Sequence, residues 1–290
     1  MRVLHVITGL SVGGAETMLY KLLNNANFNS DIKHFVLSLT DNGKIGISIN
    51  NLGVPVISLN INKNPINGFF RFVRVLKEFK PDIIQGWMYH GNLFALIGKF
   101  FLFHAKIVWN IRGSHFELKK QKNTTAFIIW LGGKLSSLPC LIINNSRNSA
   151  ENHEKKLGFR KEKMIIIPNG FDTSLFKPSL EYRRYYRNYF GIQEDEILIG
   201  LVGRYHPVKG HKRFIEAASI LLNKRKKNNE RIKFILIGRG IDDSNVQLKS
   251  IISKFELNSY FILLGELGEM HKIYPSLDII VSASEFEGFP

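Results

Sequence analysis

Ile197-Leu198-Ile199-Gly200-Leu201-Val202 runs directly into Gly203-Arg204-Tyr205-His206-Pro207-Val208-Lys209-Gly210. Phe214, Ala217, Ala218, Leu221 and Leu222 then follow at helical spacing. An unbroken apolar run, a glycine-bounded turn and an amphipathic period read as strand, loop and helix. A strand with no polar alternation needs cover on both faces, as the strands of parallel sheets have. One such unit predicts a βα rhythm for the chain around it.

That rhythm extends in both directions. Apolar or β-branched runs at 232–237, 260–264 and 278–282 predict further strands after it, and 2–8, 34–39, 55–59, 82–86, 105–110, 140–143 and 163–167 predict strands before it. Helical spacing fills the intervals, as in Phe69, Phe72, Val73 and Leu76. Between 172 and 195 the rhythm lapses into a turn-like segment and a polar, Tyr/Arg-rich helical stretch without a wide apolar face, Glu181 to Phe190, which together read as a linker. The expected fold class is therefore α/β, with two Rossmann-like domains over 1–175 and 190–290. Paired sheets of this kind bind ligands at the carboxyl ends of their strands, so the two domains are expected to face a cleft.

The 290 residues are 44% hydrophobic, with a mean hydropathy of −0.05, as in an ordinary globular protein. One cysteine, Cys140, rules out a disulfide framework, and the amino terminus lacks a signal-peptide layout, so a cytoplasmic location is expected. Net charge is +16, and residues 1–180 hold 23 Lys/Arg against 10 Asp/Glu. Such a half suits phosphates, an acidic membrane surface or nucleic acid, or is simply a solvated lysine-rich surface. No nucleic-acid motif accompanies the charge, and no nucleic-acid partner is expected. Leu93 to Phe103 is too short to span a bilayer, and Thr124 to Ile143 is broken by Gly132-Gly133-Lys134 and Pro139. They read as a buried helix and as a helix plus strand. Lys99 and Lys106 among many phenylalanines leave room for contact with lipid headgroups.

Several strand ends carry candidate chemistry. Gly13 and Gly14 open the first helix, where free N–H groups favour an anion, although a plain tight turn accounts for them equally well. The spacing is not G-x-G-x-x-G and no acidic residue closes the second strand, which argues against a dehydrogenase. His90, after the fourth strand, could act at a reacting centre or be a packed histidine. Arg112, after the fifth, suits a phosphate or carboxylate, or a surface ion pair. Arg204 and Lys209 share one strand-to-helix loop, where two cations and a helix start can stabilise a diphosphate leaving group without a metal. Gly238 ends the next strand, where backbone can pass close to the same ligand. Glu287 can accept hydrogen bonds from sugar hydroxyls, and Gly288 and Phe289 can offer backbone N–H groups to the ring.

These motifs, in this order, resemble the retaining glycosyltransferases of family 4, which have the two-domain GT-B fold. The resemblance runs through Gly13-Gly14-Ala15-Glu16, Ile143-Asn144-Asn145-Ser146, Ile167-Pro168-Asn169-Gly170-Phe171-Asp172, Gly203-Arg204, Lys209-Gly210 and Glu287-Gly288-Phe289-Pro290. It implies that Arg204 and Lys209 bind the donor diphosphate, that Glu287 contacts the transferred sugar, and that His90 lies near the anomeric carbon. It further implies transfer from a UDP- or GDP-sugar to an acceptor hydroxyl with retention and no metal cofactor, in the synthesis of bacterial cell-surface polysaccharide or lipid-linked oligosaccharide. A lipid-linked acceptor at an anionic membrane would make the protein peripheral at the inner face. The family motif is E-x7-E, and its second glutamate would fall beyond Pro290. The second domain is accordingly expected to be incomplete, with apolar strand edges exposed, and an inactive fragment that still binds nucleotide-sugar is the alternative.

Overall fold

The computed structural model describes residues 1–26, 31–113, 123–225, 231–285 and Glu287. The chain divides into one unit over Met1–Asn169 and another from Gly170 onward. The first unit, expected to run to 175, thus ends slightly earlier.

In the first unit the chain order is β1 (Arg2–Ile7), α1 (Gly14–Ala26), β2 (Lys33–Ser38), α2 (Gly43–Asn51), β3 (Val56–Ser58), α3 (Pro65–Phe79) and β4 (Ile83–Trp87). It continues with α4 (Met88–Lys99), β5 (Lys106–Ile111), α5 (Asn123–Leu135), β6 (Leu141–Asn144), α6 (Arg147–Leu157) and β7 (Met164–Ile166). The seven strands form one parallel sheet, β3-β2-β1-β4-β5-β6-β7, with Ile7 of β1 opposite Ser38 of β2 and Trp87 of β4. The order reverses beside β1, which makes the ends of β1 and β4 the ligand crevice of such a sheet. Leu4 and Val6 pack with α3, α4 and α5 on one face, while Ile7 and Val36 pack with α1 and α2 on the other. Local chemistry sets the helix limits. The Asn64 side chain accepts from the Asn67 N–H ahead of Pro65 in α3, the Ser146 hydroxyl accepts from Ser149 N–H in α6, and Gly158 at φ 71° stops α6.

The second unit repeats the pattern with α7 (Leu180–Tyr189), β8 (Ile197–Val202), α8 (His211–Arg225), β9 (Ile232–Ile237), α9 (Val246–Lys254), β10 (Phe261–Leu263), α10 (Met270–Ile273) and β11 (Ile279–Ile280). Its parallel sheet is ordered β10-β9-β8-β11, so the reversal lies beside β8. Phe214, Ile215 and Ala218 of α8 and Leu248 and Ile252 of α9 cover one face, and Ile273 with Tyr186 and Phe190 covers the other.

Three expectations change. The polar helix expected between the two domains is α7, and it packs into the second unit: Arg187, 1% exposed, pairs with Asp278 at 3.0 Å and donates to the Gln193 and Glu196 carbonyls. A polar helix can pack in this way because both terminal nitrogens of the buried guanidinium donate to backbone and carboxylate oxygens, a pattern that hydrophobic periodicity does not register. The strand predicted at 278–282 shrinks to two residues at the sheet edge, with Ile279 and Ile280 exposed. The run 93–103, read as buried throughout, is buried only in part, because Phe100, Phe101 and Phe103 lie on the surface beyond α4.

Candidate functional site

At the carboxyl end of β8 the chain leaves Val202 through Gly203 to a single 3-10 turn, Pro207–Lys209, before α8 begins at His211. Two neighbouring strand ends hold this loop. The Gly203 N–H donates to the Ile237 carbonyl and the Tyr205 N–H to the Arg239 carbonyl, both at 2.8 Å. A Cβ on Gly238, whose φ is 151°, would lie 2.3 Å from the Gly203 oxygen, so only glycine fits where these backbones cross. From the β11 side, the Glu285 N–H donates to the Val208 carbonyl at 2.8 Å and Arg213 donates to the Ala283 carbonyl at 3.1 Å. Gly210, at φ 71°, passes so close to Ala283 that a Cβ would lie 2.1 Å from its oxygen. The ends of β8, β9 and β11 therefore converge on the start of α8, at the point where strand order reverses.

The charges collect there. Lys209 Nζ lies 2.5 Å from Glu287 Oε1, with both side chains about one-quarter exposed (28% and 27%). Arg204 is exposed on the same loop. Burial lowers the pKa of His206, and the adjacent Arg204 and Lys209 cations lower it further. Two cations beside the free N–H groups of a helix start can hold an oligoanion, and a carboxylate within reach of the same loop can accept hydroxyl protons. The structure thus brings together Arg204, Lys209, Gly238 and Glu287. Gly288 and Phe289 lie outside the described residues. Gly203 is not demanded by space, since a Cβ there would make ordinary contact with the Lys209 side chain at 3.5 Å.

One neighbour escaped sequence reasoning. His211, 3% exposed, lies under the loop with its ring 5.4 Å from that of Tyr205, and neither ring nitrogen is hydrogen-bonded within the described residues. Burial and then Lys209 lower its pKa, outweighing the nearby Gly203 and His206 backbone groups. A histidine at the first position of an amphipathic helix carries no sequence signal of burial.

In the first unit, β4 passes into α4 with no intervening residue, which forces Met88 to φ 61°. Gly86 and Gly91 permit this, because a Cβ on Gly91 would lie 2.3 Å from the Val6 carbonyl oxygen and one on Gly86 would lie 2.4 Å from Asn92 Cα. His90 falls in the first turn of α4 at the β1/β4 reversal, half-buried, and burial lowers its pKa. Gly13 and Gly14 lie at the start of α1, but a Cβ on Gly13 would be 2.4 Å from a Glu16 carboxylate oxygen. That helix start therefore already has an anion beside it. Arg112 makes no ion pair within the described residues: its Nε donates to Asn110 Oδ1 at 2.8 Å, one terminal nitrogen donates to Asn169 Oδ1 at 2.5 Å, and the guanidinium lies 5.4 Å from the Trp87 ring centre.

A separate cavity of about 520 Å³ in the second unit, lined by Phe176, Arg183, His271 and Tyr274 among others, includes none of the predicted residues. Among the described residues, no cluster of three His, Cys, Asp or Glu side chains could hold a metal, and no helix is long and apolar enough to cross a membrane.

The family model described as Glycosyltransferase Family 4 matches residues 12–175. The chain belongs to glycosyltransferase family 4. A second model, Glycosyl transferases group 1, matches residues 183–290 of this family 4 chain and so includes the Arg204–Lys209 loop and Glu287. Bacillus subtilis EpsF is 25% identical over 297 residues, covering 100% of this chain and 74% of that protein. The Escherichia coli UDP-Gal:alpha-D-GlcNAc-diphosphoundecaprenol alpha-1,3-galactosyltransferase is 24% identical, covering 82% of this chain and 61% of its own length. Anabaena HepE, solved in complex with UDP and glucose, aligns with a TM-score of 0.80 at 19% identity over 98% of this chain and 74% of that one. At that identity the likeness is one of fold, and it agrees with the expected α/β class of GT-B type. The family 4 chain spans about three-fifths to three-quarters of the length of these relatives.

Proposed function

We propose that this chain transfers a sugar from a UDP- or GDP-sugar to an acceptor hydroxyl with retention of anomeric configuration, in the synthesis of cell-surface polysaccharide or lipid-linked oligosaccharide. The observation that carries this reading is the convergence of Arg204, Lys209 and Glu287 at the start of α8, where three strand ends meet. In this reading the donor diphosphate takes Arg204, Lys209 and the N–H groups opening α8, which stabilise the charge that grows as the glycosidic bond breaks. The diphosphate competes with Glu287 for Lys209, and the released carboxylate accepts hydrogen bonds from the sugar hydroxyls. His90, neutral at pH 7 because burial lowers its pKa, is assigned to the reacting centre. No metal is assigned a role. The acceptor is assigned as a lipid diphosphate, because the similar Escherichia coli enzyme is named for a diphosphoundecaprenol acceptor.

The test is calorimetry with UDP and GDP, together with transfer from labelled UDP- and GDP-sugars to polyprenyl-diphosphate-linked acceptors. Arg204→Ala with Lys209→Ala should weaken nucleoside diphosphate binding at least tenfold, since a hydrogen bond to a charged group contributes roughly 1.5–3 kcal/mol. Unchanged affinity would sink the reading. Binding without transfer would favour the inactive nucleotide-sugar binder instead.

A further inference from the structure

His211 is a buried titratable group beneath the cationic loop, and the donor reading gives it no task. It opens α8, 3% exposed, with its ring 5.4 Å from that of Tyr205. Neither ring nitrogen has a hydrogen-bond partner within the described residues. A buried polar atom left unpaired costs roughly 1–3 kcal/mol, so a leucine filling the same space would avoid a penalty that the histidine incurs.

The backbone around the ring suits its charged form. The Gly203 and His206 backbone groups both favour protonation, as carbonyl oxygens near ring nitrogens do, yet they stop short of hydrogen-bonding geometry. A neutral imidazole donates through one nitrogen and an imidazolium through both, so only the charged ring can serve two acceptors. Three influences oppose that charge in the free protein. Burial is the largest, Lys209 adds to it, and a helix start disfavours any cation. The loop also carries Arg204, Tyr205 and His206, α8 adds Lys212 and Arg213, Arg239 follows β9, and Glu285 and Glu287 follow β11. Of all these, Lys209 is the group whose charge acts on the ring. A diphosphate on the loop would offset Lys209 and reverse the field at the helix start, leaving burial as the remaining opponent.

We propose that His211 is a positioning residue that takes up a proton when the donor diphosphate binds. It then forms a third cation beneath the Arg204–Lys209 loop and fixes that loop by donating from both ring nitrogens to the Gly203 and His206 carbonyls. The proton comes from solvent and returns to it when the nucleotide leaves. The inference rests on the donor-site reading given under Proposed function.

Calorimetry of the full chain with UDP-glucose and with GDP-mannose, in buffers of differing ionisation enthalpy, tests it. Both phosphates of these probes are esterified, so neither probe titrates near neutral pH. Wild-type protein should take up about half a proton or more near pH 7, and its affinity should rise about tenfold from pH 8 to pH 6, within the limit of about tenfold per pH unit for one proton. His211→Gln should bind without uptake, its affinity changing less than about twofold over the same range, whereas His206→Gln should keep the uptake. His211→Leu removes the unpaired nitrogens, so its thermal midpoint should equal or exceed that of the wild type while the pH response disappears. A lowered midpoint with the pH response intact would assign the ring a purely structural role and overturn the inference. So would uptake that survives in His211→Gln or vanishes in His206→Gln. Binding without any uptake by wild-type protein removes this inference alone; if neither nucleotide sugar binds, the donor-site reading falls and this inference falls with it.

Discussion

His5 shows how one side chain in the core ties stability to pH. Its ring, 1% exposed on β1, receives the Trp87 indole N–H at Nδ1 (3.3 Å) and lies 3.1 Å from His34 Nδ1 through Nε2. Indole nitrogen only donates, so His5 Nδ1 must be the acceptor, and its proton resides on Nε2, directed at His34. Burial, and then the proximity of His34, push the pKa from 6.5 to about 3, against a smaller opposing pull from Gln85. The unfolded chain therefore binds a proton that the folded chain refuses between those values, and stability falls as pH drops below 6.5. At pH 5 the loss from this residue is ~2 kcal/mol. Thermal melts at pH 7 and pH 5 should show it, and His5→Gln should flatten the difference; an unchanged slope would contradict the argument. At this same scale the sequence placed Arg204, Lys209 and Glu287 just beyond strands, and because strand ends converge Lys209 meets Glu287 in the structure. It missed His211 and His5, since burial of a polar ring depends on contacts distant in sequence.

At the scale of elements, the second unit depends on a cation held between a helix and a strand. Arg187 of α7 and Arg183 one turn earlier both grip Asp278, at 3.0 and 2.7 Å, and the same carboxylate accepts the Leu198 N–H at 2.7 Å. Burial alone would raise the Asp278 pKa, but that N–H and the two guanidinium groups outweigh it and hold the carboxyl below its usual 3.8. Its contribution to stability is therefore present above that value and is lost as pH falls through the lower, folded one. Arg187→Met should cost ~3 kcal/mol, because it removes the donor from four backbone or carboxylate acceptors. Denaturant unfolding monitored by near-ultraviolet circular dichroism would measure this, and a loss under ~1 kcal/mol would mean that α7 is held by its apolar contacts instead. The short turn from β4 to α4 is likewise a property of elements. Gly86 and Gly91 are legible as letters, but their purpose emerges only when Val6 and Asn92 are seen pressing on them.

For the whole molecule, the two units each possess a parallel sheet and cores on both of its faces. Residues 1–169 should therefore fold alone with a cooperative melt, checked by circular dichroism and hydrogen exchange; a broad, non-cooperative transition would show that the first core is insufficient. Sequence alone determined the α/β class, the approximate position of every strand, and the loop that carries Arg204 and Lys209. Those features rest on local periodicity and on glycine-bounded turns, which neighbouring residues specify. Only the tertiary structure decided that α7 belongs to the second unit, that Lys209 is paired with Glu287, and that the phenylalanines beyond α4 face outward. Each of these depends on which distant surfaces meet, and burial is a property of the packed chain that no local pattern records.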